Sequence, residues 1–274
     1  MKFIPKILIV DDSTVVRQNI IETLKSEKME FIEAVDGYAA MEILENAEER
    51  MENIDLMICD INMPGISGLE VITEKNNIKN YLPYIPVLMI TSSNTGEIIS
   101  EIWKLNVTDI LFKPFTSKDL LSKVLSIIST LVNADELIKS SKNSTLIISS
   151  SVFQSSFFKK TLEQQVGIQK VDIVNNFSDA WMHIVSSSRK PYDLIFTDWQ
   201  INEDDCQKFT EKIRNKEDYK NVPVCITMST LDPAKLNSIA NIPLSSVIYK
   251  NIAKEDLIFK IKYLFNLKNS YISK

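Results

Sequence analysis

Ten short apolar runs recur along the 274-residue chain, and they limit its fold more than any other feature. Five lie in the first half: KILIV (6–10), MEFIEA (29–34), DLMICD (55–60), PVLMIT (86–91) and DILF (109–112). Five lie in the second: TLIIS (145–149), VDIV (171–174), YDLIFTD (192–198), VPVCIT (222–227) and SVIYK (246–250). Runs rich in Ile, Val and Leu with little alternation suit parallel strands covered on both faces. The intervening segments carry helical spacing, as at Val15, Ile20, Ile21 and Leu24, or Ala40, Ile43 and Leu44. Strands alternating with helices of about 10–15 residues predict βαβ units and a doubly wound sheet. The expected class is α/β.

The two series keep one order and one spacing. Asp60 falls on Asp198, Lys113 on Lys250, and Pro86 on Pro223, with IPVLMI matching VPVCIT. This predicts an internal duplication, with one domain over 1–135 and a second over 144–274. A last helix of the first copy should start near Ser117, a good N-cap residue, and run on through a polar linker at 136–143.

Composition removes several classes of function. No apolar run approaches the roughly 20 residues of a membrane-spanning helix. The N-terminus, MKFIPKILIVDDS, lacks the cleavage site of a secretory signal, so a cytoplasmic protein with no membrane partner is expected. Cys59, Cys206 and Cys225 sit in or beside apolar runs without CxxC spacing, which reads as buried reduced thiols. A single histidine, His183, makes a histidine metal site or a Ser-His-Asp hydrolase hard to build. Residues 1–143 hold 14 Lys and Arg against 22 Asp and Glu, a net of −8, and the remainder carries a net of +3. An acidic first half and a weakly basic second half argue against a nucleic-acid partner.

In a doubly wound sheet, ligands bind at the carboxyl ends of the strands. Asp11 and Asp12 end the first strand, Asp60 the third and Thr91 the fourth, while Lys113 follows the fifth. Carboxylates about 4 Å apart repel by about 4 kcal/mol per pair at an effective dielectric near 20. The cluster therefore needs a cation, and Mg²⁺ suits a few carboxylates, waters and a phosphate oxygen. The lysine and hydroxyl suit the outer oxygens of a phosphoryl group. One aspartate could be the nucleophile, forming an acyl phosphate. The spacing leaves open which.

Taken together, KILIVDDS (6–13), ICDINMPGISGLE (58–70), ITSS (90–93) and ILFKPF (110–115) resemble the receiver domain of two-component response regulators, over roughly residues 4–132. The resemblance implies the strand order 2-1-3-4-5 in each copy. It implies Asp60 as the residue phosphorylated by a histidine kinase, Asp12 as a direct Mg²⁺ ligand, Asp11 as a water-mediated one, and the backbone carbonyl of Asn62 on the metal. It makes Thr91 the hydroxyl that moves onto the phosphoryl group and Lys113 its ion-pairing partner. It also implies a cis Lys113–Pro114 bond and tight turns at Gly65 and Gly68. One position departs from the pattern: three residues before the lysine, where receivers usually carry Tyr or Phe, stands Ile110.

The second copy, about 144–268, resembles a receiver whose site has degenerated. Ser149 and Ser150 replace Asp11 and Asp12, Met228 replaces Thr91, Asn251 replaces Pro114, and MPGISG has become INEDDC. Asp198 and Lys250 remain, and an ion pair between them is expected in place of a metal. Neutral serines are poor substitutes for anionic ligands of Mg²⁺.

The function implied is a tandem-receiver response regulator. It would accept a phosphoryl group on Asp60 from a histidine kinase or phosphotransfer protein, and signal to a downstream protein target. Its readout would be protein–protein contact, through a homodimer or interdomain contact among others, with no DNA-binding or enzymatic output domain. Two other readings share features with it. One is a scaffold of two unphosphorylated receiver folds. The other is a haloacid-dehalogenase-like phosphatase, although that family carries a second aspartate where this chain has Asn62.

Overall fold

In the computed structural model, the most continuous apolar runs form the centres of two parallel sheets. It describes residues 3–77, 85–140, 143–186, 190–201, 204–230, 232–240, 245–249, 252 and 254–272. The chain divides into two compact units, Met1–Leu131 and Val132–Lys274.

The first unit runs β1 (Lys6–Val10), α1 (Thr14–Leu24), β2 (Glu30–Ala34), α2 (Gly37–Glu49), β3 (Leu56–Asp60), α3 (Gly68–Asn77), β4 (Val87–Thr91), α4 (Gly96–Lys104), β5 (Asp109–Phe112) and α5 (Ser117–Ser140). Its strands pair in parallel in the order β2-β1-β3-β4-β5. Every residue of β3 and β4 is buried, whereas the edge strands β2 and β5 alternate or fray towards solvent. This is the expected consequence of helices covering both faces of a sheet.

The second unit repeats the scheme: β6 (Ser144–Ile148), α6 (Val152–Thr161), β7 (Lys170–Val174), α7 (Phe177–Val185), β8 (Leu194–Asp198), β9 (Gln200–Ile201), β10 (Asp204–Asp205), α8 (Cys206–Arg214), β11 (Val224–Met228), α9 (Pro233–Ala240), β12 (Ser245–Tyr249) and α10 (Lys254–Ile272). Its five-stranded sheet has the order β7-β6-β8-β11-β12, which is 2-1-3-4-5 counted within the unit. The central strands β6, β8 and β11 are buried throughout. Their core joins Ile147, Phe158, Leu162, Leu194, Phe196 and Leu257, with the rings of Phe158 and Phe196 5.2 Å apart. The added hairpin β9–β10 falls in INEDDC, where the first unit has MPGISG.

Caps place the helices above the strand ends. Ser13 and Ser151 accept hydrogen bonds from Val16 N and Gln154 N, and Asp36 and Asn176 do the same for Ala39 N and Asp179 N. The start of α5 differs from the sequence reading in its cap. Ser117 is the first helical residue, and Thr116 is the cap: its hydroxyl accepts from Asp119 N–H at 3.2 Å while Asp119 Oδ2 accepts from Thr116 N–H. This reciprocal arrangement satisfies two orphan donors at once. It is favoured over Ser117, which has no acidic partner three residues on. Among the described residues, no helix is long and apolar enough to cross a membrane.

Candidate functional site

Four of the five strands of the first sheet deliver polar groups to the same edge. Asp11 and Asp12 leave β1, Asp60 closes β3, Thr91 closes β4, and Lys113 follows β5. Carboxylate oxygens of Asp11, Asp12 and Asp60 lie within 4.8 Å of one another, with Asp11 and Asp60 buried and Asp12 exposed. Lys113 Nζ donates to Asp60 Oδ2 at 2.7 Å and to Asp11 Oδ2 at 3.0 Å. Two of the three carboxylates thus share one cation.

The surrounding backbone holds these groups still. Asp11 Oδ1 accepts from Ser13 N–H at 2.9 Å, and Asp60 Oδ1 from Ile61 N–H at 2.8 Å. Burial raises the pKa of Asp60 above its ordinary value and Asp11 adds to the rise, while the Lys113 ammonium and the Asn62 N–H oppose it. For Lys113 burial works downward, but hydrogen bonds and charge from Asp60 and Asp11 outweigh it, so its pKa is raised. With three carboxylates and one lysine, two carboxylates remain beyond what the lysine can neutralise.

Thr91 is fully buried, and its hydroxyl oxygen accepts from Ser93 N–H at 2.9 Å. Asn62, two residues after Asp60, is exposed. The Lys113–Pro114 bond is cis. The two loop glycines serve different needs. Gly65 adopts φ +78°, a region costly for L side chains. Gly68 starts α3 so close to the backbone of Asp60 that a Cβ there would lie 2.0 Å from Asp60 O. Ile110 is buried on β5, in register with Met89 of β4.

Residues 7–125 match the family described as "Response regulator receiver domain". The chemotaxis protein CheY homolog of Campylobacter jejuni is 32% identical, over 46% of this chain and 93% of that protein. Chemotaxis protein CheY-3 of Vibrio cholerae is 34% identical, over 43% of this chain and 88% of that protein. The chain belongs to the response regulator receiver family. Receivers of this two-component, phosphorelay family also occur inside longer proteins: the sensor histidine kinase TmoS of Ectopseudomonas mendocina is 30% identical over 49% of this chain. Of TmoS and three other long relatives the chain spans only 13–27%.

The second unit lies outside the residues matched to the receiver family, and the corresponding strand ends hold different chemistry. Asp198 closes β8 and is buried. Its Oδ2 accepts from Ser149 Oγ at 2.6 Å and its Oδ1 from Thr227 Oγ1 at 2.5 Å. Gln154 Nε2 in turn donates to Thr227 Oγ1 at 3.1 Å, and Ser149 Oγ accepts from Ser151 N–H. Ser150 is exposed beside this network. The partner proposed for Asp198 from sequence, Lys250, lies outside the described residues, as does Asn251. The acidic cluster of the first unit is the only such group among the described residues.

Thr227 escaped the sequence reading. The strand register aligns Met228 with Thr91, as expected, but Thr227 pairs with Asp198 where Ile90 pairs with Asp60. The available signal was a hydroxyl at a position that is apolar in the first copy. A hydrogen bond to a carboxylate contributes about 1.5–3 kcal/mol. Thr227→Val is therefore expected to lower the stability of the second unit by that amount, measured as a lower urea midpoint at unchanged m-value.

Cys59, Cys206 and Cys225 are buried and form no disulfide, and burial pushes the Cys225 thiol up to about 12. His183 faces Tyr192 Oη at 3.0 Å, in a structural contact of the second unit.

Proposed function

We propose that the chain is a tandem response regulator in which Asp60 is the phosphoacceptor and the second unit is a receiver-like domain that is not phosphorylated. The observation that carries this reading is the buried Asp60 carboxylate, held 2.7 Å from Lys113 and within 4.8 Å of the oxygens of Asp11 and Asp12. All donors in that cluster are hard oxygens, and their charge exceeds that of the single lysine, which fits Mg²⁺. Asp11, Asp12, Asp60 and the carbonyl of Asn62 would hold it. Bound there, Mg²⁺ supplies charge neutralisation for the phosphoryl oxygens.

The chain's own residues supply the remainder. A carboxylate oxygen of Asp60 forms the new P–O bond as the P–N bond of a phosphohistidine donor breaks. The donor imidazole leaves with the bonding electron pair. Lys113, between Asp11 and Asp60, neutralises charge as it builds on the transferred group, and the Thr91 hydroxyl donates to a phosphoryl oxygen. Ile61 N–H fixes the carboxylate in orientation throughout.

In the second unit, hydroxyls of Ser149 and Thr227 take both oxygens of Asp198, and neither metal-ligand aspartate is present. The domains we assign are 1–135 and 144–274, with 136–143 as the connection. Signalling then rests on protein–protein contact with a histidine kinase or phosphotransfer protein and a downstream protein target, in the cytoplasm.

The test is the intact mass of wild type, Asp60→Asn and Asp198→Asn after incubation with acetyl phosphate and Mg²⁺. One phosphoryl adduct, absent only from Asp60→Asn, is expected. A second adduct absent from Asp198→Asn overturns the assignment of the second unit, and an adduct that persists in Asp60→Asn overturns that of the first.

A further inference from the structure

Arg17 is the one arginine of α1 and it is buried, at 5% exposure. Its guanidinium makes three contacts. Nη1 donates to the backbone carbonyl of Asp11 at 2.9 Å, Nε pairs with Glu33 Oε2 of β2 at 2.8 Å, and Nη2 donates to Thr14 Oγ1 at 3.2 Å. Burying a guanidinium is costly unless it is paired and hydrogen-bonded, so this cluster has to be satisfied as a set. The planar fork reaches all three acceptors at once, which a lysine cannot do.

Asp11 is consequently fixed along its whole length. Its N–H donates to Ala34 O, its carbonyl is held by Arg17, its Oδ1 by Ser13 N–H and its Oδ2 by Lys113. The second unit provides an internal comparison. Ser155 stands at the helix position of Arg17, and Ile173, paired with Ile147 as Glu33 is with Ile9, stands at the strand position of Glu33. Both members of the pair are replaced in the unit that also has serines for Asp11 and Asp12. Where they would lie, the second unit has a cavity of about 570 Å³ lined by Ser149, Ser155 and Ile173 among others.

We infer that Arg17, clamped by Glu33, is a positioning residue for the acidic site: it fixes the backbone at Asp11 so that the carboxylates of Asp11, Asp12 and Asp60 converge on a divalent cation. This rests on the reading of that site as the Mg²⁺ site of a receiver. Charge and position predict opposite signs when Arg17 is removed. Taking a cation away from a cation site would relieve Coulomb repulsion and so strengthen Mg²⁺ binding. Losing the clamp weakens it, as loss of groups that orient metal ligands commonly does by 10–100-fold.

The experiment is calorimetric titration of the full chain with Mg²⁺, together with the Mg²⁺ dependence of adduct formation from acetyl phosphate. It uses wild type, Arg17→Met, Arg17→Lys, Glu33→Gln and Asp60→Asn. Arg17→Met is expected to weaken Mg²⁺ binding about tenfold, while the rate at saturating Mg²⁺ stays within about twofold of wild type. Arg17→Lys, which restores the charge but not the fork, stays weak. An Arg17→Met protein that folds by circular dichroism yet binds Mg²⁺ as tightly as wild type, or more tightly, overturns the inference. If Arg17→Met does not fold, Glu33→Gln decides: weaker binding supports the clamp and unchanged binding overturns it. A wild type that neither binds Mg²⁺ nor forms an adduct overturns the receiver reading itself, whatever the variants do.

Discussion

Replacing Lys113 by methionine is expected to destabilise the first unit by about 3 kcal/mol at neutral pH, the low end of the cost of removing one partner from a buried ion pair. The low end applies because Lys113 keeps some contact with solvent, its side chain being 21% exposed, whereas Asp11 and Asp60 do not. Methionine keeps most of the stem's volume, so the loss reports charge. It leaves buried Asp60 and Asp11 facing each other without a cation. The pH dependence fixes the sign. The pKa of Lys113 lies above its ordinary value of 10.5. Its stabilisation is therefore complete below 10.5 and is lost as pH rises through the raised value. The gap between wild type and Lys113→Met should close in that alkaline range. It should also narrow when Mg²⁺ is added at neutral pH. Urea denaturation at neutral and alkaline pH, with and without Mg²⁺, measures all three. An equal gap at every pH would show that the loss is one of packing.

Asp60→Asn is expected to act in the opposite direction on the metal-free protein. Burial, reinforced by Asp11 and opposed by Lys113, leaves the pKa of Asp60 above its ordinary 3.8. A carboxyl with a raised folded-state pKa binds its proton more tightly when folded. Stability therefore falls as pH rises from about 3.8 through the raised value, and the ionised group is a net cost at neutral pH. The neutral amide removes that cost, so metal-free Asp60→Asn melts above wild type at neutral pH, and the difference vanishes on acidification. With Mg²⁺ the order changes. Binding at 100 times the dissociation constant adds about 2.7 kcal/mol to wild type, and the variant forfeits most of that gain. Thermal melts across pH, with and without Mg²⁺, check both parts. A metal-free variant less stable than wild type at neutral pH would show that the Lys113 contact outweighs the cost of burying Asp60.

The acidic site was legible in the linear chain because each contributing residue ends an apolar run. Parallel strands place such ends together, so strand order alone gathers Asp11, Asp12, Asp60, Thr91 and Lys113. Strand positions were legible for the same reason: KILIV, DLMICD and VPVCIT are continuous apolar runs that only a covered strand accommodates. Helix ends were less so. Thr116 and Ser117 are both good caps by composition, and only the carboxylate of Asp119 returning to Thr116 N–H decides between them.

Other features depended on contacts between distant segments. Gly68 reads as a turn residue in the sequence, yet its requirement is the 2.0 Å that would separate a Cβ from Asp60 O. Arg17 reads as one more charged position on a helix, and its contact with the Asp11 carbonyl arises only when α1 packs against β1 and β2. Thr227 lies one residue from the position that alignment with Thr91 selects, and its hydroxyl reaches Asp198 across the β8–β11 register.

Two α/β units and an acidic strand-end site in the first are written in the linear chain, because strand period and residue type are local properties that survive in one dimension. Which oxygens of Asp11, Asp60 and Asp198 are taken, and by which donors, is set by packing. Those choices depend on distances of about 3 Å between residues far apart in the chain, and hydrogen bonds and buried charges are sensitive on that scale.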